Sequence, residues 1–181
     1  VCMEKTPWEQ AVEFHGHACP GLALGFKAAE AAIRELGYAR DVDEEMVAIV
    51  ENDSCSIDAI QLILGCTAGK GNLIFRNNGK QVFTIGRRNE GKAVRIALKY
   101  EIMSGAGKDE SREDKMKRIL ESDPGDLFEI REAELDLPEK AVIFKSVKCS
   151  RCGEGVMESK ARLSDGKPVC SDCFADYTRG W

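Results

Sequence analysis

Phe14-His15-Gly16-His17-Ala18-Cys19-Pro20-Gly21 runs straight into Leu22, Phe26, Ala29, Ile33 and Leu36, and the join between these patterns decides how the chain is read. Spacings of four, three, four and three put the apolar residues on one face of a helix. Pro20 suits the first helical position, where no helical bond would use the N–H it lacks. Gly37, just past the last periodic residue, suits the left-handed closing position. Cys19 then falls at the N-cap, where backbone N–H groups and the helix dipole favour a thiolate. The chain has only two histidines, and both lie in the turn before this helix. Imidazole and thiolate are good ligands for borderline-soft metals, so His15, His17 and Cys19 are a candidate metal site. His17 is the firmer ligand of the two, being nearer Cys19 and past Gly16; His15 is the alternative acid–base or supporting group.

Outward from this point, Trp8 to Phe14 reads as a short amphipathic helix. Met46 to Val50 is an apolar run with the β-branched content of a buried strand. Asp53 or Ser54 is a natural N-cap for the next helix, whose face carries Ile57, Ile60 and Leu64. Cys55 thus falls in a first helical turn, as Cys19 does, and the two are expected to converge on one site. Leu73 to Phe75 and Gln81 to Ile85 flank Asn77-Asn78-Gly79-Lys80, which predicts a hairpin. Lys92 to Tyr100 alternates and predicts a strand. Gly105 to Glu113 reads as a polar loop, Asp114 to Glu121 as a short helix, Leu127 to Leu135 as a strand and Ala141 to Val147 as a last extended run. Helices first and strands later point to an α+β domain with a mixed, mostly antiparallel sheet flanked by helices.

From about residue 145 the composition changes, and the expected division is a core domain over 1–144 and an appendage over 145–181. Cys149-x2-Cys152 and Cys170-x2-Cys173 offer two thiolate pairs to one ion, at the spacing of a structural zinc site. A segment with so few apolar residues has little else to hold it folded. The appendage carries seven basic and five acidic side chains, an excess that is ordinary for a solvated surface. The chain as a whole carries −5. Nucleic acid is therefore an unlikely partner, although the appendage leaves it open. No apolar run has the length of a membrane span. Paired cysteines without a basic-then-apolar leader favour metal over disulfides, and so a reducing, cytoplasmic compartment.

In the core, two imidazoles and two thiolates (His15, His17, Cys19, Cys55) suit zinc, with iron, nickel or copper as alternatives. If only three bind, an open position is left for water or substrate. The plainer alternative is a pair of turn histidines beside a buried cysteine. Gly65-x3-Gly69-Lys70-Gly71 resembles a phosphate loop but is one residue short, and has glycine where the magnesium-binding hydroxyl belongs. Lys70 remains a candidate anion contact, and Cys66 either a third site sulfur or, the preferred reading, a core residue.

Phe14-His15-Gly16-His17-x-Cys19-Pro20-Gly21-Leu22-Ala23-Leu24-Gly25 resembles one signature stretch of the E-subunit family of formylmethanofuran dehydrogenase. The other is matched by Cys55-Ser56-x-Asp58-Ala59-Ile60-Gln61-x3-Gly65-Cys66-Thr67-x-Gly69-Lys70-Gly71-Asn72. The tail, with Cys149-x2-Cys152-Gly153-Glu154 and Cys170-x2-Cys173, is similar to the zinc fingers of the DksA/TraR class. The resemblance implies a loosely thioredoxin-like core with a mixed sheet and a treble-clef-like finger. It implies a shared cluster of His15, His17, Cys19 and Cys55, with Asp58, Cys66 and Lys70 nearby as candidate catalytic groups beside His15. It also implies a link to the molybdenum or tungsten enzyme that reduces carbon dioxide onto methanofuran.

Three functions follow as expectations. The first is a metal-binding accessory protein for a molybdenum- or tungsten-dependent oxidoreductase, with zinc in the finger and a second divalent ion (zinc, iron or nickel) in the core. The second is a metalloenzyme acting on a C1 or thiol substrate, with a pocket lined by Cys66, Lys70 and Asp58. The third is a metal- or redox-sensing regulator that docks through the finger. A homodimer is expected from exposed strand edges.

Overall fold

The computed structural model describes residues 5–37, 40, 43–88, 91–104, 110–134, 140 and 142–176. The chain divides into two units, Val1–Lys140 and Ala141–Trp181.

The first unit is built on two consecutive helices, α1 (Pro7–His15) and α2 (Pro20–Leu36). Thr6 and Glu9 cap α1 reciprocally: the Thr6 hydroxyl accepts the Glu9 N–H and the Glu9 carboxylate accepts the Thr6 N–H, at 3.3 and 2.7 Å. Gly16, at φ +93°, closes α1, so His15 is its last residue. Cys19 caps α2 with its sulfur, which accepts the Leu22 N–H at 3.3 Å. Gly37 ends α2 in the left-handed region. Around α2 pack α3 (Ser56–Leu64), α5 (Arg112–Glu121) and a short α6 (Pro124–Leu127); α4 spans Tyr100–Ser104.

The close approach of α2 and α3 depends on glycine. A Cβ at Gly25 would overlap the backbone of Ser56, and one at Gly21 would stand 3.2 Å from Cys55 Cβ. The two glycines are four residues apart, on one face of α2. Helix α3 therefore starts directly against the beginning of α2.

Five strands form the sheet: β1 (Met46–Val50), β2 (Leu73–Phe75), β3 (Val82–Arg87), β4 (Ala93–Leu98) and β5 (Phe128–Ala133), in the order β2-β1-β3-β4-β5. β1 and β2 are parallel, joined through α3; the other three pairings are antiparallel. The register lines up Ala48, Ile85 and Val94 in one row and Val50, Phe83, Ile96 and Ile130 in the next. These rows join Leu24, Ala28, Ile60 and Leu64 from the helices in one core. Burial of each large side chain there contributes about 1.5–3 kcal/mol.

The expected hairpin between β2 and β3 does not form. β1 lies between them, and the Asn77–Lys80 turn wraps its end: Asn78 and Lys80 N–H both donate to Glu51 O at 3.0 Å. The turn signal was sound, but fully buried β1 takes a neighbour on each side. Neither Asp53 nor Ser54 caps α3; Cys55 occupies that position without a side-chain cap bond. Asn52 instead organises the turn, accepting the Ser54 N–H at 3.2 Å and the Ser56 hydroxyl at 3.1 Å. α5 starts at Arg112 on a Ser111 cap, two residues before the expected start, and β5 starts at Phe128 because Leu127 ends α6. Residues 105–109 of the expected loop, Leu135 and Ala141 lie outside the described residues. Among the described residues no helix is long and apolar enough to cross a membrane.

The second unit has two small hairpins, β6 (Ser146–Lys148) with β7 (Gly155–Met157) and β8 (Arg162–Ser164) with β9 (Lys167–Val169). The extended run before it contributes only Ser146–Lys148 as strand. Asp165 and Gly166, both at positive φ, make the tight β8–β9 turn. Among its described residues only Cys149 and Val169 are buried, so hydrophobic burial alone cannot hold it together.

Candidate metal centres

The four cysteines of the second unit converge, their sulfurs all within 4.8 Å of one another. Each pair sits on a turn that points sulfurs inward. Gly153 N–H donates to Cys149 O at 3.0 Å with Gly153 at φ +81°, and Phe174 N–H donates to Cys170 O at 3.0 Å. Cys170 N–H donates to Cys149 Sγ at 3.3 Å. Arg151 ties the two halves, donating to Cys173 O at 2.6 Å and to Ser164 Oγ at 3.1 Å. Cys152 and Cys170 sulfurs are 3.9 Å apart. Zinc–sulfur bonds of about 2.3 Å in a tetrahedron require sulfur separations near ~3.8 Å, so the site fits zinc. Backbone N–H groups of Cys152 and then Cys170 pull the Cys149 thiol down to about 6. The Cys170 thiol, followed by burial, pushes Cys173 up to about 12. One sulfur of the set is thus ready as a thiolate and another holds its proton until an ion displaces it.

In the first unit the ligand atoms of His15, His17 and Cys19 lie within 4.8 Å of one another. His15 comes from the last turn of α1, Cys19 from the cap of α2, and Gly16 turns the chain between them. The two rings are 4.5 Å apart, tilted by 37°. His15 Nδ1 meets Asp58 Oδ2 at 2.6 Å, and Gln61 Nε2 donates to Asp58 Oδ1 at 3.3 Å. With its Nδ1 proton held by Asp58, His15 presents Nε2, which faces Cys19 Sγ at 3.9 Å. A carboxylate behind a histidine fixes both tautomer and ring orientation. Cys19 is 4 % exposed, whereas His17 reaches solvent.

Cys55 adjoins this trio without belonging to the mutually close set. Burial first, then the charge and hydrogen bond of Cys19, raise its thiol above the ordinary range. Cys55, His15, Asp53, Ser54, Ile57, Asp58, Gln61 and Phe75 line an open cleft of about 330 Å³. Cys66 and Lys70 are not part of it. Both follow the C-terminal end of α3, roughly 13 Å of helix away from Cys55. The Cys66 thiol is fully buried and donates to Met46 O at 3.6 Å, and the Lys70 ammonium donates to Asp43 O at 2.8 Å. The pocket expected around Cys66, Lys70 and Asp58 therefore contains only Asp58. Gln61, Asp53 and Phe75 were not named as site residues from the sequence, Asp53 being read there as a helix cap; the spacing Asp58-x2-Gln61 on one helical face was the available signal for Gln61.

A mixed-sheet α+β unit with a His/Cys cluster, followed by a four-cysteine finger, defines a zinc-binding protein of two units. The chain belongs to the FmdE family: the sequence model described as "FmdE, Molybdenum formylmethanofuran dehydrogenase operon" matches residues 14–140, and that of the prokaryotic dksA/traR C4-type zinc finger matches residues 143–179. The chain is similar to the crystal structure of an FmdE-like protein from Syntrophus aciditrophicus, described as like the E-subunit of a tungsten formylmethanofuran dehydrogenase. The two share 28 % identity at a TM-score of 0.71, over 92 % of this chain and 91 % of that one. This chain is also 33 % identical over 195 residues to a probable S-adenosyl-L-methionine-binding protein of Archaeoglobus fulgidus. That match takes in 93 % of this chain but 52 % of the relative, so the chain spans about half of that protein's length.

Proposed function

We propose that this protein is a metal-binding accessory to a molybdenum- or tungsten-dependent oxidoreductase of the formylmethanofuran dehydrogenase kind. In this reading the finger zinc is structural, and a second divalent ion (zinc, iron or nickel) binds His15, His17, Cys19 and Cys55. The observation that carries it is the aimed His15: a ring locked by Asp58 at 2.6 Å, its Nε2 turned towards Cys19. Metal histidines are oriented in this way by a carboxylate or carbonyl. His17, exposed at the rim, leaves the ion accessible for exchange with a partner. The test is metal analysis of the anaerobically purified protein beside His17→Ala and Cys19→Ala. The reading expects each variant to lose one equivalent and keep the finger zinc; unchanged metal content in both removes the core site.

The cleft favours a second reading, a metalloenzyme acting on a C1 or thiol substrate. His15 and Asp58 would then hold a proton beside the bound molecule, and Cys55 would bind or guide it. A cobalt-loaded core site whose visible spectrum responds to small thiols or formate supports this reading; an indifferent spectrum opposes it. S-adenosyl-L-methionine belongs in the same titration, because the archaeal relative carries that ligand in its name.

A further inference from the structure

Two thiols at the core site differ sharply in access while meeting at one point. Gly21 lies over both: a Cβ there would stand 3.8 Å from Cys55 Sγ and 3.9 Å from Cys19 Sγ. Cys55 is half-buried and lines the cleft, whereas Cys19 is 4 % exposed behind it. Cys55, unlike Cys19, makes no side-chain cap bond to its helix. Both cysteines stand at helix starts, Cys19 at the cap of α2 and Cys55 at that of α3.

We propose that Cys19 and Cys55 are a redox pair that closes to a disulfide by exchange with a small disulfide entering the cleft, and that closure discharges the core ion. The release rests on the metal reading above; the disulfide does not. Access fixes the order of the steps. The Cys55 thiolate attacks one sulfur of the incoming RSSR, forming a mixed disulfide and expelling RS⁻. The Cys19 thiolate then attacks Cys55 Sγ and expels the second RS⁻. The two protein thiols lose two electrons and two protons, and RSSR is reduced to two RSH. Metal binding requires thiolate, so closure removes both sulfur ligands and leaves His15 and His17 alone. Cys66 stays out of the exchange because it is fully buried against Met46 O, and the finger cysteines stay out while the zinc-loaded protein keeps them as ligands.

The test uses the full chain, reduced and zinc-loaded without oxygen, then treated with cystamine. Peptide mass mapping reads the sulfur linkages, and a chromophoric chelator reads released zinc. The expected result is one peptide pair joined through Cys19 and Cys55, with one zinc equivalent released. Cys19→Ser should trap the cystamine adduct on Cys55, and Cys55→Ser should slow cystamine modification of Cys19 at least about tenfold. Circular dichroism checks that each variant is folded, and either one alone suffices. A lasting Cys55 adduct in the parent protein beside a free Cys19, or crosslinks to other cysteines in place of this one, overturns the pair. The expected crosslink from protein that held no core zinc supports the pair and overturns the metal reading instead.

Discussion

The backbone of Ser56 occupies the space that a side chain on Gly25 would need. This contact sets how closely α2 and α3 approach, and so brings the starts of both helices, with Cys19 and Cys55, to one place. Gly25→Ala meets backbone, which cannot rotate away, so the helices must separate. The expected cost is about 3 kcal/mol in urea unfolding, with loss of the ion proposed for the core site. Gly21→Ala meets the movable Cys55 side chain at 3.2 Å. Alanine's better helix propensity offsets much of that contact, so stability should change by less than about 1 kcal/mol while core metal affinity falls. Equal destabilisation by the two substitutions would show that the helices are not held this closely.

Asp58 acts through His15. Asp58→Ala leaves the ring free to turn and its Nδ1 proton unpartnered. Core metal affinity should drop about 10- to 100-fold, the usual cost of losing such a carboxylate. Gln61→Ala, one bond further out, should weaken binding less. Competition with a chromophoric chelator measures both, and an unchanged affinity in Asp58→Ala would mean that His15 is not a ligand.

Local patterns in the sequence were enough to indicate α1, α2, the strands and the finger, because capping, periodicity and paired cysteines act within a few residues. Pairing between strands was less accessible. Asn77-Asn78-Gly79-Lys80 does form a turn, but the choice of β1 as neighbour for both β2 and β3 is made by burial across the whole sheet. His15, His17 and Cys19 were legible as a cluster because they are adjacent in the chain. The Asp58 contact to His15 spans 43 residues and depends on the α1–α3 packing, which no local pattern encodes. The resemblance set Cys66 and Lys70 beside the site, yet a helix of 9 residues carries both away from it, and Cys66 is fully buried as its reading as a core residue expects.

Cys19 has two roles that substitution can separate. Its sulfur accepts the Leu22 N–H at the start of α2 and also faces His15. Cys19→Ser supplies another capping acceptor but a poor ligand for a soft ion. Cys19→Ala removes both. Serine should therefore be more stable than alanine by about 1 kcal/mol in the metal-free protein, the usual worth of a cap. Both variants should lack the core metal. Equal metal-free stability of the two would show that the sulfur does not act as a cap.

Zinc binding by the finger should depend steeply on pH. Binding needs all four sulfurs as thiolates, and in the metal-free, unfolded finger the thiols titrate near the ordinary cysteine value of about 8.5, so they give up their protons to the ion. Proton release makes affinity rise with pH, by about tenfold per pH unit for each proton displaced. In the assembled site the backbone N–H groups of Cys152 and Cys170 hold Cys149 down to about 6, which favours its thiolate there. Removing zinc with a strong chelator should unfold residues 142–176, which bury only Cys149 and Val169 among them, while residues 5–134 keep their core. Hydrogen exchange reads the two regions separately. Lasting protection of Cys149, Cys170 and Phe174 amides after chelation would mean that the finger is held by something other than its ion.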